Sequence, residues 1–194
     1  MGSDDQLRDA MAKTMVGFAA VVAALDSEHW DVPSPCTGWS VFDVVDHVVA
    51  GERFTVEVLA GASLAEAAEA QAGLDFNDKD VVGQVTDAAD AALAAFDGSL
   101  DRIVQHRVGS ISARRMLGFR IIDQLGHTWD VATAAGQPVA LDPEALAVGV
   151  EIALAERKTL EGSPNFATSP HDSVETGDPL MTFLQAIGRA NSDD

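Results

Sequence analysis

Apolar residues recur every three or four positions over most of the chain. Leu7, Met11, Met15, Phe18, Val22 and Leu25 form one such stripe between Asp5 and Leu25, which predicts an amphipathic helix of about six turns. The stretch from Asp26 to Trp39 is broken by Pro33, Pro35 and Gly38 and reads as irregular. Ser40, with Asp43 three residues on, predicts the N-cap of a second helix running through about Leu59. Its apolar positions are mostly valine, a modest helix former, so burial must stabilise it. Gly61 ends that helix, and a long polar connection reaches Asp80, with a helical turn expected at Leu64 to Ala70. A third helix is expected over Val81 to Phe96 and is stopped by Asp97-Gly98. Ile103 to Val108 is one short run that reads as extended, too little by itself to make a sheet. A fourth helix spans about Ala113 to Ala135, with Gly136 and Pro138 beyond its end. A fifth starts at Asp142-Pro143 and reaches about Leu160; after a loop from Glu161 to Pro179, Leu180 to Ile187 reads as a short closing helix. No fixed-period repeat and no linker interrupts this pattern. The expectation is an all-α fold, four or five long helices in a single domain over residues 1–194.

Composition agrees. Aromatic residues are scarce at 6%, with no Tyr, and 47% of residues are hydrophobic, which favours helices around a proper core. Asp and Glu number 31 against 12 Lys and Arg, a net charge of −19. Such a surface repels phosphate backbones and anionic lipid, so neither nucleic acid nor a membrane is an expected partner. No apolar run approaches the ~20 residues of a membrane span, and no secretory signal is visible. One cysteine, Cys36, fits a reducing compartment, and the expected location is cytoplasmic.

The informative residues are polar groups placed on core-facing stripes. His47 stands among Val44, Val45, Val48 and Val49; by itself it reads as readily as a buried neutral imidazole bonded to a carbonyl. Asp123 and His127 lie four apart on the fourth helix, a spacing that stacks them on one face and suits a divalent metal. An intrahelical Asp–His hydrogen bond satisfies the same spacing. Together, His47, Asp123 and His127 form a candidate ligand set of two nitrogens and one oxygen, which leaves coordination positions open. Asp130 is placed to orient an imidazole from behind, or else faces solvent. His29, His106 and His171 read as solvated residues, and Cys36 as a small packing residue. Asp46 and Glu52 flank His47 without sharing its face well. Arg114, Arg115 and Arg120 form a basic cluster and Arg53 lies on the second helix; Arg53 and Arg120 are the candidates to hold a thiol cofactor or a substrate carboxylate, the alternative being surface ion pairs.

The run Pro35-Cys36-Thr37-Gly38-Trp39-Ser40-Val41, followed by Asp43 and His47, resembles the opening of the mycothiol-dependent maleylpyruvate isomerase type of DinB-like protein. Asp123 to Asp130, leading to Ala134-Ala135-Gly136-Gln137-Pro138, resembles that family's second motif. The ending Phe183 to Arg189 is similar to the close of a small actinobacterial subgroup of metal-binding relatives. The resemblance implies a DinB-like four-helix bundle with a long crossover connection between its second and third helices, plus extra C-terminal helices. It implies a divalent metal, zinc or nickel, at the positions His47, Asp123 and His127, where relatives often present His or Glu in place of Asp123. It further implies use of mycothiol or another low-molecular-weight thiol. The maleylpyruvate isomerase carries a further C-terminal domain, which is not expected here, so that specific activity is not expected either.

The functional expectation is a metal-dependent thiol transferase or isomerase whose partners are a small-molecule thiol and a small electrophile. The alternatives are a metal- or ligand-binding protein without turnover, and a hydrolase using metal-activated water. Pairing of two copies through a helix face is compatible with a bundle of this size.

Overall fold

The computed structural model describes residues 2–75, 80–161 and 177–189. Seven helices and one hairpin make up the described part: α1 (Asp4–Ala23), α2 (Val41–Ala60), α3 (Leu64–Glu69), α4 (Val81–Ala95), β1 (Ile103–His106), β2 (Gly109–Ser112), α5 (Ala113–Ala134), α6 (Pro143–Glu161) and α7 (Pro179–Ala186). The fold is all-α and DinB-like, with only that small sheet. The helix starts lie where short polar side chains satisfy free backbone amides. Ser3 with Gln6, Ser40 with Asp43 and Ser63 with Glu66 form capping boxes, and Ser112 accepts from the Arg115 amide at the start of α5.

Four helices make the bundle. α1 packs on α4 and α5, and α2 packs on the same two, so the helices are arranged in the cyclic order α1, α4, α2, α5. The connection from α2 to α4 carries α3 and is the long crossover. α6 lies against α1 and α5, α7 against α6, and the hairpin against α2 and α5. α5 is thereby covered on most sides, and its Leu117, Ile121, Ile122 and Leu125 are fully buried. The valine-rich face of α2 is buried too, with Val41, Val44 and Val45 shielded from solvent beside Phe18 and Val131. This burial stabilises a helix that its residues' propensities favour only weakly.

The extended run at 103–108 does have a partner. β1 and β2 pair antiparallel, Val104 opposite Ile111 and His106 opposite Gly109, with Arg107 and Val108 at the turn. The second strand, Gly109-Ser110-Ile111-Ser112, has one β-former among four residues and gives little pattern to read. Most of the expected loop from Glu161 to Pro179, including His171, lies outside the described residues.

Truncating a side chain inside α5 leaves a cavity among four packed elements. Leu117→Ala is expected to cost about 2–5 kcal/mol, whereas Val16→Ala on the exposed face of α1 should stay within about 0.5 kcal/mol. Urea denaturation of the two variants beside the parent checks the contrast.

Candidate metal centre

Two faces of neighbouring helices carry the polar residues. On α5 the stripe Met116, Arg120, Asp123, His127, Asp130 and Ala134 runs at helical spacing through the bundle. On α2, Val41, Val45, Val48, Glu52, Thr55 and Leu59 form the buried stripe, with His47, Gly51 and Phe54 on the strip beside it. Glu52 is 1% exposed and belongs to the core face, one strip away from His47. The signal for it was present: an acid and a threonine interrupt an apolar repeat of otherwise regular period.

The structure brings His47, Asp123 and His127 together, one ligand atom of each within 4.8 Å of the others. His47 Nε2 and His127 Nε2 both stand 3.5 Å from the same oxygen, Asp123 Oδ1. That is longer than the ~2.7–2.9 Å of a charge-assisted hydrogen bond. It is close to the ~3.3–3.4 Å separating two ligands of a tetrahedral ion bound at about 2.0–2.1 Å. The donor set and its spacing therefore fit a divalent metal.

Neighbouring groups hold each of these atoms in place. Asp123 Oδ2 accepts from Arg120 Nη1 at 3.0 Å, which turns Oδ1 toward the two imidazoles. Arg120 donates through Nε and Nη2 to Glu52 Oε1, at 3.1 and 2.7 Å, and Gln124 Nε2 donates to that same oxygen at 2.6 Å. Burial disfavours the charge on Arg120, but Glu52 and Asp123 outweigh it and raise the pKa above its ordinary value. Burial likewise opposes ionisation of Asp123, yet the charge of Arg120 and the two histidines holds its carboxyl well below the usual range. Gly51 makes the close packing possible. A Cβ there would lie 2.9 Å from Arg120 Nη1, a group already fixed from two sides. Glu52 Oε2 and Gln124 Oε1 are buried without a hydrogen-bond donor, the setting in which proteins hold an ordered water.

His127 is held from its other nitrogen. Nδ1 lies 2.8 Å from Asp130 Oδ2, which leaves Nε2 facing Asp123 and His47. Asp130, fully buried, is gripped in turn by Arg189, Nε to Oδ1 at 3.1 Å and Nη2 to Oδ2 at 2.9 Å. Burial opposes its ionisation, but the His127 and Arg189 hydrogen bonds bring its pKa down to about 2.

Cys36 is not an ordinary packing residue. Its Sγ donates to Asp130 Oδ2 at 3.1 Å, receives Arg189 Nη2 at 3.3 Å and lies 4.0 Å from His127 Nδ1. The loop that carries it is closed by the Ser34 and Trp39 amides, which donate to Trp39 and Cys36 carbonyls at 2.8 and 2.9 Å. Gly38, at φ 80°, takes the left-handed position of that turn. Trp39 then stacks on His127, ring centroids 6.2 Å apart, and tilts against His47 at 5.0 Å. Cys36, His127 and Asp130 also form a cluster of possible ligands. In that cluster the Asp130 oxygens are already occupied by Arg189 and His127, whereas Asp123 Oδ1 serves only the two histidines.

The expected carboxylate anchors, Arg53 and Arg120, have partners within the chain. Arg53 donates to the Ala72 and Gly73 carbonyls and lies outside the cluster, and Arg120 is committed to Glu52 and Asp123. Arg114 pairs with Asp4 and Arg115 with Glu156, as surface ion pairs do. His106 is half-buried rather than solvated, its ring 5.4 Å from Phe119. Burial, with the charges of Arg107, Arg120 and Arg115, pushes its pKa down to about 4.

Residues 11–132 match the family model described as the mycothiol maleylpyruvate isomerase N-terminal domain, and the chain belongs to that family. Two uncharacterized proteins of Mycobacterium tuberculosis, from strains CDC 1551 / Oshkosh and ATCC 25618 / H37Rv, are each 30% identical over 127 residues, 66% of this chain. The match spans 66% of each of those relatives, just under two thirds of their length. No solved structure matches. Among the described residues, no helix is long and apolar enough to cross a membrane.

Two outcomes follow from the electrostatics. Glu52→Ala leaves the Arg120 charge half-compensated in the core and is expected to cost about 3–5 kcal/mol, with Glu52→Gln less severe; chemical denaturation at neutral pH measures both. Between pH 6.5 and about 4 the unfolded chain protonates His106 and the folded protein does not, so its stability falls as the pH drops through that window. His106→Gln should remove that component, seen as a flatter profile of melting temperature against pH.

Proposed function

We propose that this member of the mycothiol maleylpyruvate isomerase N-terminal domain family holds a divalent metal, zinc or nickel, on His47, Asp123 and His127. We infer further that it uses a low-molecular-weight thiol of the mycothiol type to transfer to, or isomerise, a small electrophile. The observation that carries the reading is the pair of 3.5 Å separations on Asp123 Oδ1, longer than a usual charge-assisted hydrogen bond and suited to a shared cation.

When bound, such a cation supplies positive charge that favours the thiolate form of a thiol at neutral pH. The chain's own residues do the rest. Asp130 fixes the ring plane of His127 through Nδ1, and Arg120 fixes the carboxylate of Asp123 through Oδ2. Trp39 covers the two imidazoles and limits water around them. With both imidazoles neutral, as they must be to ligate a metal, Glu52, Asp123 and Asp130 carry three negative charges against the two of Arg120 and Arg189, one short of neutrality. A dication reverses that sign and leaves the centre with an affinity for one anionic ligand, as a thiolate is. The reading takes the protein to act in the cytoplasm, where such thiols stay reduced.

Elemental mass spectrometry of the purified protein tests the metal. Near-stoichiometric zinc or nickel is expected in the parent and its loss in His47→Ala and His127→Ala. Asp130→Asn, which keeps the ligands but weakens their support, should lower metal affinity by about 10–100-fold. A thiol-dependent rate on an electrophile panel should vanish with the metal; tightly held metal without any such rate would instead favour a binding protein.

A further inference from the structure

A cavity of about 180 Å³ opens between α2, the hairpin, α5 and α6, and His47, Arg120 and Asp123 are among the residues that line it. An apolar cavity of about 150 Å³ is enough to hold benzene, so this one has room for one ring or a short chain. Phe54, Met116, Phe119, Ile122 and Leu160 supply its apolar wall. His106 and Arg107, from the end of β1 and the turn that follows, supply polar groups.

Those two residues differ from the other charged groups of the site. Arg120 is neutralised by Glu52 and Asp123. Arg107 meets no carboxylate among the described residues; its Nη2 donates to Gln71 Oε1 at 3.1 Å and its guanidinium lies over the Phe54 ring at 5.0 Å. In a chain of net charge −19, a guanidinium without a carboxylate on the wall of an apolar cavity is the exception. His106 Nδ1 accepts from the Val108 amide at 3.4 Å, which assigns the proton of the neutral ring to Nε2. No acceptor for that N–H is found among the described residues. A cation and a spare N–H donor on the wall of an apolar pocket are the groups that recognise a carboxylate on an apolar body.

We propose that this cavity binds a small monocarboxylate with an apolar body about one ring in size, its carboxylate on Arg107 and His106, in the same cavity that His47 and Asp123 line. The proposal rests on the reading of His47, Asp123 and His127 as the reactive centre for any reaction of that ligand, and it names the class of substrate that centre receives. Arg107 takes the anchoring role that the sequence suggested for Arg53 or Arg120.

Titration calorimetry with benzoate and its uncharged counterpart benzamide tests it, on the full chain, in zinc-loaded and in chelator-treated protein. Benzoate should bind the parent about tenfold more tightly than benzamide, the size of one charge-assisted contact. Arg107→Gln should abolish that preference by weakening benzoate much more than benzamide, and Arg107→Lys should restore part of it. Arg107 is exposed at a turn, and benzamide binding that is retained shows that the cavity itself is intact in the variant. Benzoate that fails to bind, binds no better than benzamide, or keeps its preference in Arg107→Gln overturns the proposal. The chelator-treated arm separates the two readings: a preference for benzoate there stands even if zinc is not held on the histidines, and its absence in both arms refutes the anion site whatever the metal result.

Discussion

The structure depends on one buried guanidinium. Arg120 sits in the seam between α2 and α5, with Glu52 on one side and Asp123 on the other. A charge in that position is tolerated only when it is matched and hydrogen-bonded, because desolvation outweighs a single imperfect contact. Meeting that condition has two consequences. It ties α2 to α5 at fixed register, aided by Gly51, which leaves space for the side chain. It also occupies one oxygen of Asp123 and so aims the other at His47 and His127. The fold and the candidate centre thus share a constraint, and Glu52, which touches neither histidine in the hydrogen-bond network, is part of both.

His127 is the second pivot. Its Nε2 belongs to the cluster with His47 and Asp123, while its Nδ1 belongs to the cluster with Cys36 and Asp130. The two clusters use different nitrogens of one ring. Asp130 is saturated by Arg189 and by the ring itself, which suits an orienting role. Cys36, brought to that side by the loop before α2, lies behind the imidazole and not beside its free nitrogen. On another side, His47 and Asp123 line a cavity that hairpin residues also line, so the centre stands between a packed flank and an open one.

Much of this was legible in the chain. The helices α1, α2, α4, α5 and α6 follow from apolar spacing and from caps such as Ser40 with Asp43, because those signals are local. That His47, Asp123 and His127 come together was legible because polar residues on or beside a core stripe need a reason to be there. The partner of β1 was not, since Gly109 to Ser112 carries too few β-formers to announce a strand. Arg189 and Cys36 also escaped a reading from spacing: their meeting with Asp130 is made by tertiary packing across 59 and 94 residues of sequence. His106 looked solvated because its burial comes from Phe119 on another element, and Arg107 had no neighbour in sequence to mark it as different from other arginines.

The most direct measurement is X-ray absorption at the zinc edge on the zinc-loaded protein without added thiol. Coordination by His47, Asp123 and His127 predicts only nitrogen and oxygen neighbours at about 2.0–2.1 Å, with the outer-shell signature of two imidazoles. A sulfur neighbour at about 2.3 Å would put the ion on Cys36, His127 and Asp130 instead and contradict the assignment.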